Sequence, residues 1–250
     1  MGGAAATGRE SVVDFVAREL ALLGNPERAR GAAAYLKTDQ PMLGISEPDR
    51  RPVMRRMVEL YPPAGGSEYR ATVCALWEAG RPPVGYREVQ YAALWYAQSF
   101  NEHHLPAQFP LLRRLIVEGA WWDLVDWVAT RLVSPIVLSH RAKSMTFMRR
   151  WIEDEDMWVR RAAILCQLNH KEATDEPVLF EFCLARADEP DFFIRKAIGW
   201  ALRQHARSNP DGVRDFLLAN TDRLSPLTLR EAGKHVGVEP KPRQTTRPKA

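Results

Sequence analysis

The chain has little cysteine, no long apolar run and no alternating strand pattern, and each of these absences closes off a class of protein. Of its 250 residues only three are cysteines, Cys74, Cys166 and Cys183, scattered in apolar surroundings with no CxxC pair. Neither a disulfide frame nor a cysteine metal cage is expected; these read as free core thiols in a reducing compartment. His103-His104 has no second ligand pair near it, so no metal is expected, and nothing calls for a cofactor. No apolar stretch approaches the roughly 18–20 residues that cross a bilayer. Met1 to Arg9 is small and polar rather than a charged segment leading into an apolar core, so no secretory leader is expected. Met1-Gly2 invites myristoylation, but Ala6 stands where that motif wants Ser or Thr. The expectation is a soluble cytoplasmic protein with no membrane partner. Val, Ile and Tyr never alternate cleanly at period two, so no strand is expected.

What is present is helical. Apolar spacing predicts helices over 11–23, 26–37, 47–60, 67–79, 86–100, 106–118, 121–139, 145–152, 156–169, 176–187, 191–208, 210–219 and 225–236. Asn25-Pro26, Ser46-Glu47-Pro48, Asn209-Pro210 and Ser225-Pro226 each offer a capping side chain with proline at or near the first helical position. Helices of this length with short connections form a bundle or a stack of helical pairs. Residues 1–10 read as a flexible start, 11–237 as a single domain, and 238–250 as a disordered tail. That tail carries Lys241, Arg243, Arg247 and Lys249, which add nonspecific attraction to a polyanion. A net charge of +4 leans basic but is also ordinary for a soluble enzyme.

Three segments concentrate chemistry. In Trp121-Trp122-Asp123-Leu124-Val125-Asp126, Trp122 and Asp126 are i, i+4 neighbours on one helix face. An indole beside a carboxylate suits a flat or cationic group; the plainer reading puts both tryptophans in a core and both acids in solvent. Asp123 falls in the first turn, where it complements the helix dipole. Asp126 lies a turn deeper, where an unpaired charge is costly, and is the better functional candidate.

The second segment, 191–203, has Asp191 as a plausible N-cap. Phe193 and Trp200, seven apart, share a face, and Gly199 costs about 1 kcal/mol unless another backbone approaches closely. In the third, 158–168, Arg160 and Arg161 point in different directions from an apolar stripe. One can cover the surface with its stem and the other can reach a phosphate with its fork.

These segments occur in an order that resembles the AlkD-like DNA alkylation repair family, alkylpurine DNA glycosylases built from HEAT-like helical repeats. Further matches are Leu43-Gly44-Ile45 followed by Pro48-Asp49-Arg50-Arg51, and Ser225-Pro226-Leu227 leading into Arg230-Glu231-Ala232. The resemblance runs from about Val12 to about Val236. It implies an all-α, HEAT-like helical-repeat solenoid with a concave DNA-binding face, acting as a monomer on double-stranded DNA that contains alkylated purines. In a bacterial cell it would be nucleoid-associated.

By resemblance, Asp126 takes the place of the family's catalytic aspartate, and Trp122 and Trp200 that of the aromatic pair against the damaged nucleotide. Arg161 matches a phosphate-contacting arginine and Tyr35 an N-terminal tyrosine near DNA; Phe192 and Phe193 join the DNA-binding set. An N3- or N7-alkylated purine is cationic and already a good leaving group. One ionised carboxylate that stabilises the sugar's developing charge and positions a water then suffices, and the resemblance implies that the base is not extruded. Two other functions fit the residues: a catalytically silent protein that recognises DNA structure by shape and phosphates, and a helical-repeat scaffold for protein partners.

Overall fold

The computed structural model describes residues 10–240. The proposed flexible start and basic tail therefore lie almost wholly outside the described residues. All described secondary structure is helical, in short helices that pack on near neighbours in the chain, as a helical-repeat architecture requires. No helix among the described residues is long and apolar enough to cross a membrane. Within the span read as one repeat domain, contacts cluster into two compact units, Met1–His103 and His104–Ala250.

The first unit holds α1 (Val12–Ala21), α2 (Pro26–Leu36), α3 (Glu47–Leu60), α4 (Gly66–Ala79) and α5 (Arg87–Ser99). Ser11, Asn25 and Ser46 each accept a backbone N–H from the first turn of the helix they start, and Pro26 and Pro48 stand at the tolerant first positions. Phe15, Met54, Met57, Val73, Trp77 and Leu94 are sealed between α1, α3, α4 and α5. The hydroxyls of Tyr69 and Tyr96 donate to the carbonyls of Ala97 (3.0 Å) and Tyr61 (2.8 Å), so their burial leaves no orphan donor. Helix α2 buries only Leu36. The loop from α2 to α3 is tied down by Glu88 of α5, whose carboxylate accepts the N–H groups of Leu43 (2.9 Å), Gly44 (2.8 Å) and Ile45 (3.4 Å).

The second unit runs through α6 (Phe109–Gly119), α7 (Trp122–Trp127), α8 (Ser134–Ser139), α9 (Arg141–Trp151), α10 (Met157–Leu165), α11 (Glu176–Ala185), α12 (Phe192–His205), α13 (Pro210–Ala219) and α14 (Pro226–Ala232). Helix α10 is central, packing on α6, α7, α9 and α12, and α12 packs in turn on α14. Asp156, Asp175, Asp191, Asn209 and Ser225 cap their helices through side-chain oxygens. Gly199 allows a close approach: a Cβ there would meet Glu231 Cβ at 2.5 Å and the Thr228 carbonyl at 3.2 Å.

Three local outcomes differ from the spacing-based expectation. The helix predicted over 121–139 is continuous, but Val128–Val133 widens into a π-type turn between α7 and α8. Ser134 N–H then reaches back five residues to Ala129 O. In that register Pro135, with no N–H, leaves the Thr130 carbonyl without its donor, and Asn169 Nδ2 supplies one at 3.1 Å. Helix α9 begins at Arg141, earlier than predicted, because the chain breaks only at His140 (φ −132°, ψ 41°) with no loop. Helix α14 gives way after Ala232 to a tighter turn at Gly233–His235, where Gly233 is pressed against the Val238 carbonyl.

Candidate functional site

Asp126 lies in the last turn of α7, immediately before the π-type turn, and Thr130 Oγ1 donates to its backbone carbonyl at 2.7 Å. Its side chain is only 16% exposed, and it is not alone. From α10, Arg161 Nε donates to Oδ1 and Arg161 Nη2 to Oδ2, both at 2.8 Å, in a two-pronged pair. The third arm of the fork, Nη1, donates to the Phe193 carbonyl at the start of α12, and the cation lies 6.0 Å from the Phe193 ring centroid. One guanidinium thus ties α7, α10 and α12 together.

Electrostatics at Asp126 are a contest. Burial pushes its pKa above the usual carboxylate value, and Asp123 pushes the same way; the bonds and charge of Arg161 pull it back down. The fork occupies one side of each oxygen. An ionised carboxylate has about four lone-pair sites, so two remain to accept a proton or hold a water.

Around this pair stands a packed aromatic triangle. Trp121 and Phe193 are 5.5 Å apart, Trp158 and Phe193 4.8 Å, and Trp121 and Trp158 5.9 Å, with tilted or edge-on planes. The Trp121 indole N–H is sealed there with no acceptor among the described residues. From sequence, Trp121 stands only as one of the tryptophan pair that the plainer reading places in a core, and Trp158 is no site candidate. A signal for Trp158 was available, since it precedes Arg161 by three on one helix and so shares its face.

The other sequence-derived residues are placed as follows. Trp122 and Trp200 are half-buried, on α7 and α12. Phe192 is 52% exposed and meets the half-buried Phe193 edge-on at 5.4 Å, so of the two Phe192 is the more open to solvent. Tyr35 is 74% exposed on α2, in the other unit.

Both arginines of the 158–168 segment are bonded within the protein. The Arg161 side chain, 6% exposed, spends one N–H of each of its three nitrogens inside the protein, which leaves one N–H on each of Nη1 and Nη2 for any further partner. The bonds it makes in this structure go to a buried carboxylate and a backbone carbonyl. Arg160 does not cover open surface: its Nη1 donates to the carbonyls of Asp154 (2.7 Å) and Glu155 (2.8 Å), and Nη2 to Glu189 (2.9 Å). Asp126, in turn, avoids the cost of an unpaired buried charge through Arg161.

The family model for DNA alkylation repair enzymes matches residues 16–236. A solved structure described as a predicted DNA alkylation repair enzyme from Enterococcus faecalis is similar at 28% identity and a TM-score of 0.73. The match covers 85% of this chain and 96% of that one. No curated protein matches. A family match over nearly the whole helical array, with a solved relative of the same description, makes this chain a member of the DNA alkylation repair enzyme family.

Proposed function

We propose that the protein is a monofunctional DNA glycosylase, a hydrolase that releases cationic N3- or N7-alkylated purines from duplex DNA as a step of base excision repair. The observation that carries the reading is the state of Asp126: a carboxylate oriented on both oxygens by one buried arginine, yet 16% exposed, with lone pairs left over. In the reaction, the N-glycosidic bond breaks and its electron pair neutralises the cationic base. Water adds to the sugar's anomeric carbon and loses its proton to Asp126 or bulk solvent. Asp126 stabilises the positive charge on the sugar while that bond is breaking. No acid is needed on the leaving group.

In this reading Arg161 is a positioning residue that keeps Asp126 ionised and aimed. Trp122 and Trp200, half-buried on α7 and α12, flank the exposed nucleotide, and Phe192 and Tyr35 meet the DNA. The protein acts as a monomer on the duplex and leaves the base stacked. Phe193 contributes through its packed ring and the carbonyl that holds Arg161.

The test is incubation of the full chain with alkylated duplex DNA and mass analysis of what is released. N3-methyladenine or N7-methylguanine is expected, while uracil and 8-oxoguanine, neutral leaving groups, stay in place. Uracil release would overturn the mechanism. Binding of the duplex with no base released would favour a second reading, a catalytically silent DNA-structure binder, whose support is that both oxygens of Asp126 are already engaged by Arg161.

A further inference from the structure

The unit Met1–His103 contains a buried arginine that the proposed reaction does not use. Arg50 lies on α3, one turn beyond the capping Ser46, and is only 8% exposed. Its guanidinium sits 4.5 Å from the centroid of the Tyr91 ring, which holds the face of the fork and leaves its edges free. Among the described residues its guanidinium has no hydrogen-bond or ion-pair partner.

The acids nearby are occupied. Asp49 accepts from Arg28 (2.9 Å) and Ser46 (2.7 Å), Glu47 accepts from Arg51 (2.7 Å), and Glu88 is held by the three N–H groups of the α2–α3 loop. Burial lowers the pKa of the Arg50 guanidinium, as expected of a cation short of counter-charge. An unpaired buried charge is costly, and a ligand of opposite sign removes the cost.

The space for such a ligand exists. Arg50 lines a cavity of about 280 Å³ together with Arg28, Gly44, Ser46, Glu88 and Tyr91. Its loop wall is firmly seated: Gly44 has φ +74°, and a Cβ there would meet Ala29 N and Asn25 O at 2.3 Å. Glu88 faces the same cavity, but its carboxylate charge is blunted by the three backbone donors it accepts.

We propose that this cavity is a phosphate-binding site, in which the Arg50 fork takes two oxygens of a phosphate mono- or diester and Arg28 adds a second positive charge at the exposed edge. The phosphate belongs either to a DNA backbone or to a small phosphate compound. The site does not depend on Asp126 being catalytic.

The test uses the full chain, with sodium phosphate as the probe and sodium chloride at matched ionic strength as the reference. Phosphate is expected to raise the melting temperature and to bind measurably by calorimetry. Arg50→Gln should weaken that binding about 10- to 100-fold, the worth of a charge-assisted pair, without lowering the melting temperature in phosphate-free buffer. Arg28→Gln, an exposed change, should weaken it less, and this variant carries the test should Arg50→Gln fail to fold.

An undamaged duplex distinguishes the two sources. If the duplex displaces phosphate, and Arg50→Gln lowers its salt dependence by about one phosphate contact, the ligand is the DNA backbone. Unchanged duplex affinity in Arg50→Gln, with phosphate binding lost, assigns a small phosphate compound. No phosphate-specific effect on the parent protein overturns the proposal, as does an equal effect in the parent, Arg50→Gln and Arg28→Gln.

Discussion

Arg161 and Arg50 are both buried guanidiniums laid near an aromatic ring, 6.0 Å from Phe193 and 4.5 Å from Tyr91. Of the two, only Arg161 is hydrogen-bonded to its counter-charge among the described residues. A carboxylate fills its fork on two prongs and a backbone carbonyl takes the third arm, so it organises α7, α10 and α12. Arg50 has its face covered and its edges empty, beside a cavity. Burial alone does not say what an arginine does. The occupancy of its five donors does, because a filled fork fixes protein geometry and an open one is available to a ligand.

The largest expected effect separates the two in stability. Arg161→Ala strands Asp126 in a buried site without its cation and should cost about 3–5 kcal/mol. Arg50→Ala removes a charge with no hydrogen-bonded partner among the described residues and loses its contact with Tyr91 and the packing of its buried stem, about 1–2 kcal/mol in all. Urea unfolding of both variants measures the difference, and equal losses would break the comparison. Next comes chemistry. Asp126→Asn keeps size and removes charge, so excision of alkylpurines should fall about 100- to 1000-fold. Asp123→Asn, which removes only a neighbouring charge, should be far milder. Asn at 126 has one acceptor oxygen and an NH2 that cannot accept from Arg161, so one prong of the pair is lost whatever the charge; some stability should go with it, and Asp126→Asn combined with Arg161→Met should recover the stability but not the excision. Recovery of excision in that double variant would remove Asp126 from the reaction.

These contrasts also mark how far the sequence is legible. Helix starts are local events, and Asn25-Pro26, Ser46-Glu47-Pro48, Asn209-Pro210 and Ser225-Pro226 all cap where the pattern places them. Asp126 stands out from neighbours a few residues away, since its depth in an apolar helix is visible in the string. Its partner is not visible, because the Arg161 contact forms only when α7 packs on α10. For the same reason a basic pair such as Arg160-Arg161 reads as surface or phosphate contact, although both side chains end up bonded within the protein. Arg50 is simply one of two arginines after Pro48-Asp49 until Tyr91 and Glu88, forty residues away, come into place beside it. The π-type turn depends likewise on Asn169 reaching the Thr130 carbonyl across the fold.

A pH profile sharpens the pairing of Asp126 with Arg161. Excision requires the ionised carboxylate, and burial raises its pKa, so activity should fall on acidification through a pKa above the ordinary 3.8. Arg161 is the influence that lowers it. Arg161→Gln should therefore move that acid limb to still higher pH, in addition to reducing the rate. Single-turnover excision measured across the acid range reads the shift directly, and an unmoved limb would mean that Arg161 does not tune the acid. Trp122→Ala and Trp200→Ala should lower excision more than affinity for undamaged duplex. Being half-buried, each should cost less stability than the roughly 3–5 kcal/mol of a fully buried tryptophan. A melting-temperature loss of the full core size would return both to packing.

The smallest effect uses an acid whose shift runs opposite to that of Asp126. Glu231 packs against Gly199, and burial alone would raise its pKa, but Lys196, Lys234 and Arg203 all reach it and together bring it to about 2. A depressed carboxylate contributes stability that is fully present above its ordinary pKa of 4.5 and is lost as pH falls toward 2. Asp126, raised rather than lowered, has the reverse sign: its ionisation penalises the fold, and acid relieves that penalty. Glu231→Gln should thus lower stability at neutral pH by about 1 kcal/mol, the scale of a partly screened ion-pair network, and the gap to the parent should close between about pH 4.5 and pH 2. Denaturant midpoints for the parent and the variant across that window decide it. A gap that stays constant with pH would make Glu231 a packing partner of Gly199 rather than the anchor of three cations, whereas a closing gap shows that a carboxylate with full pairing and one with burial as its main burden respond to acid in opposite directions within a single unit.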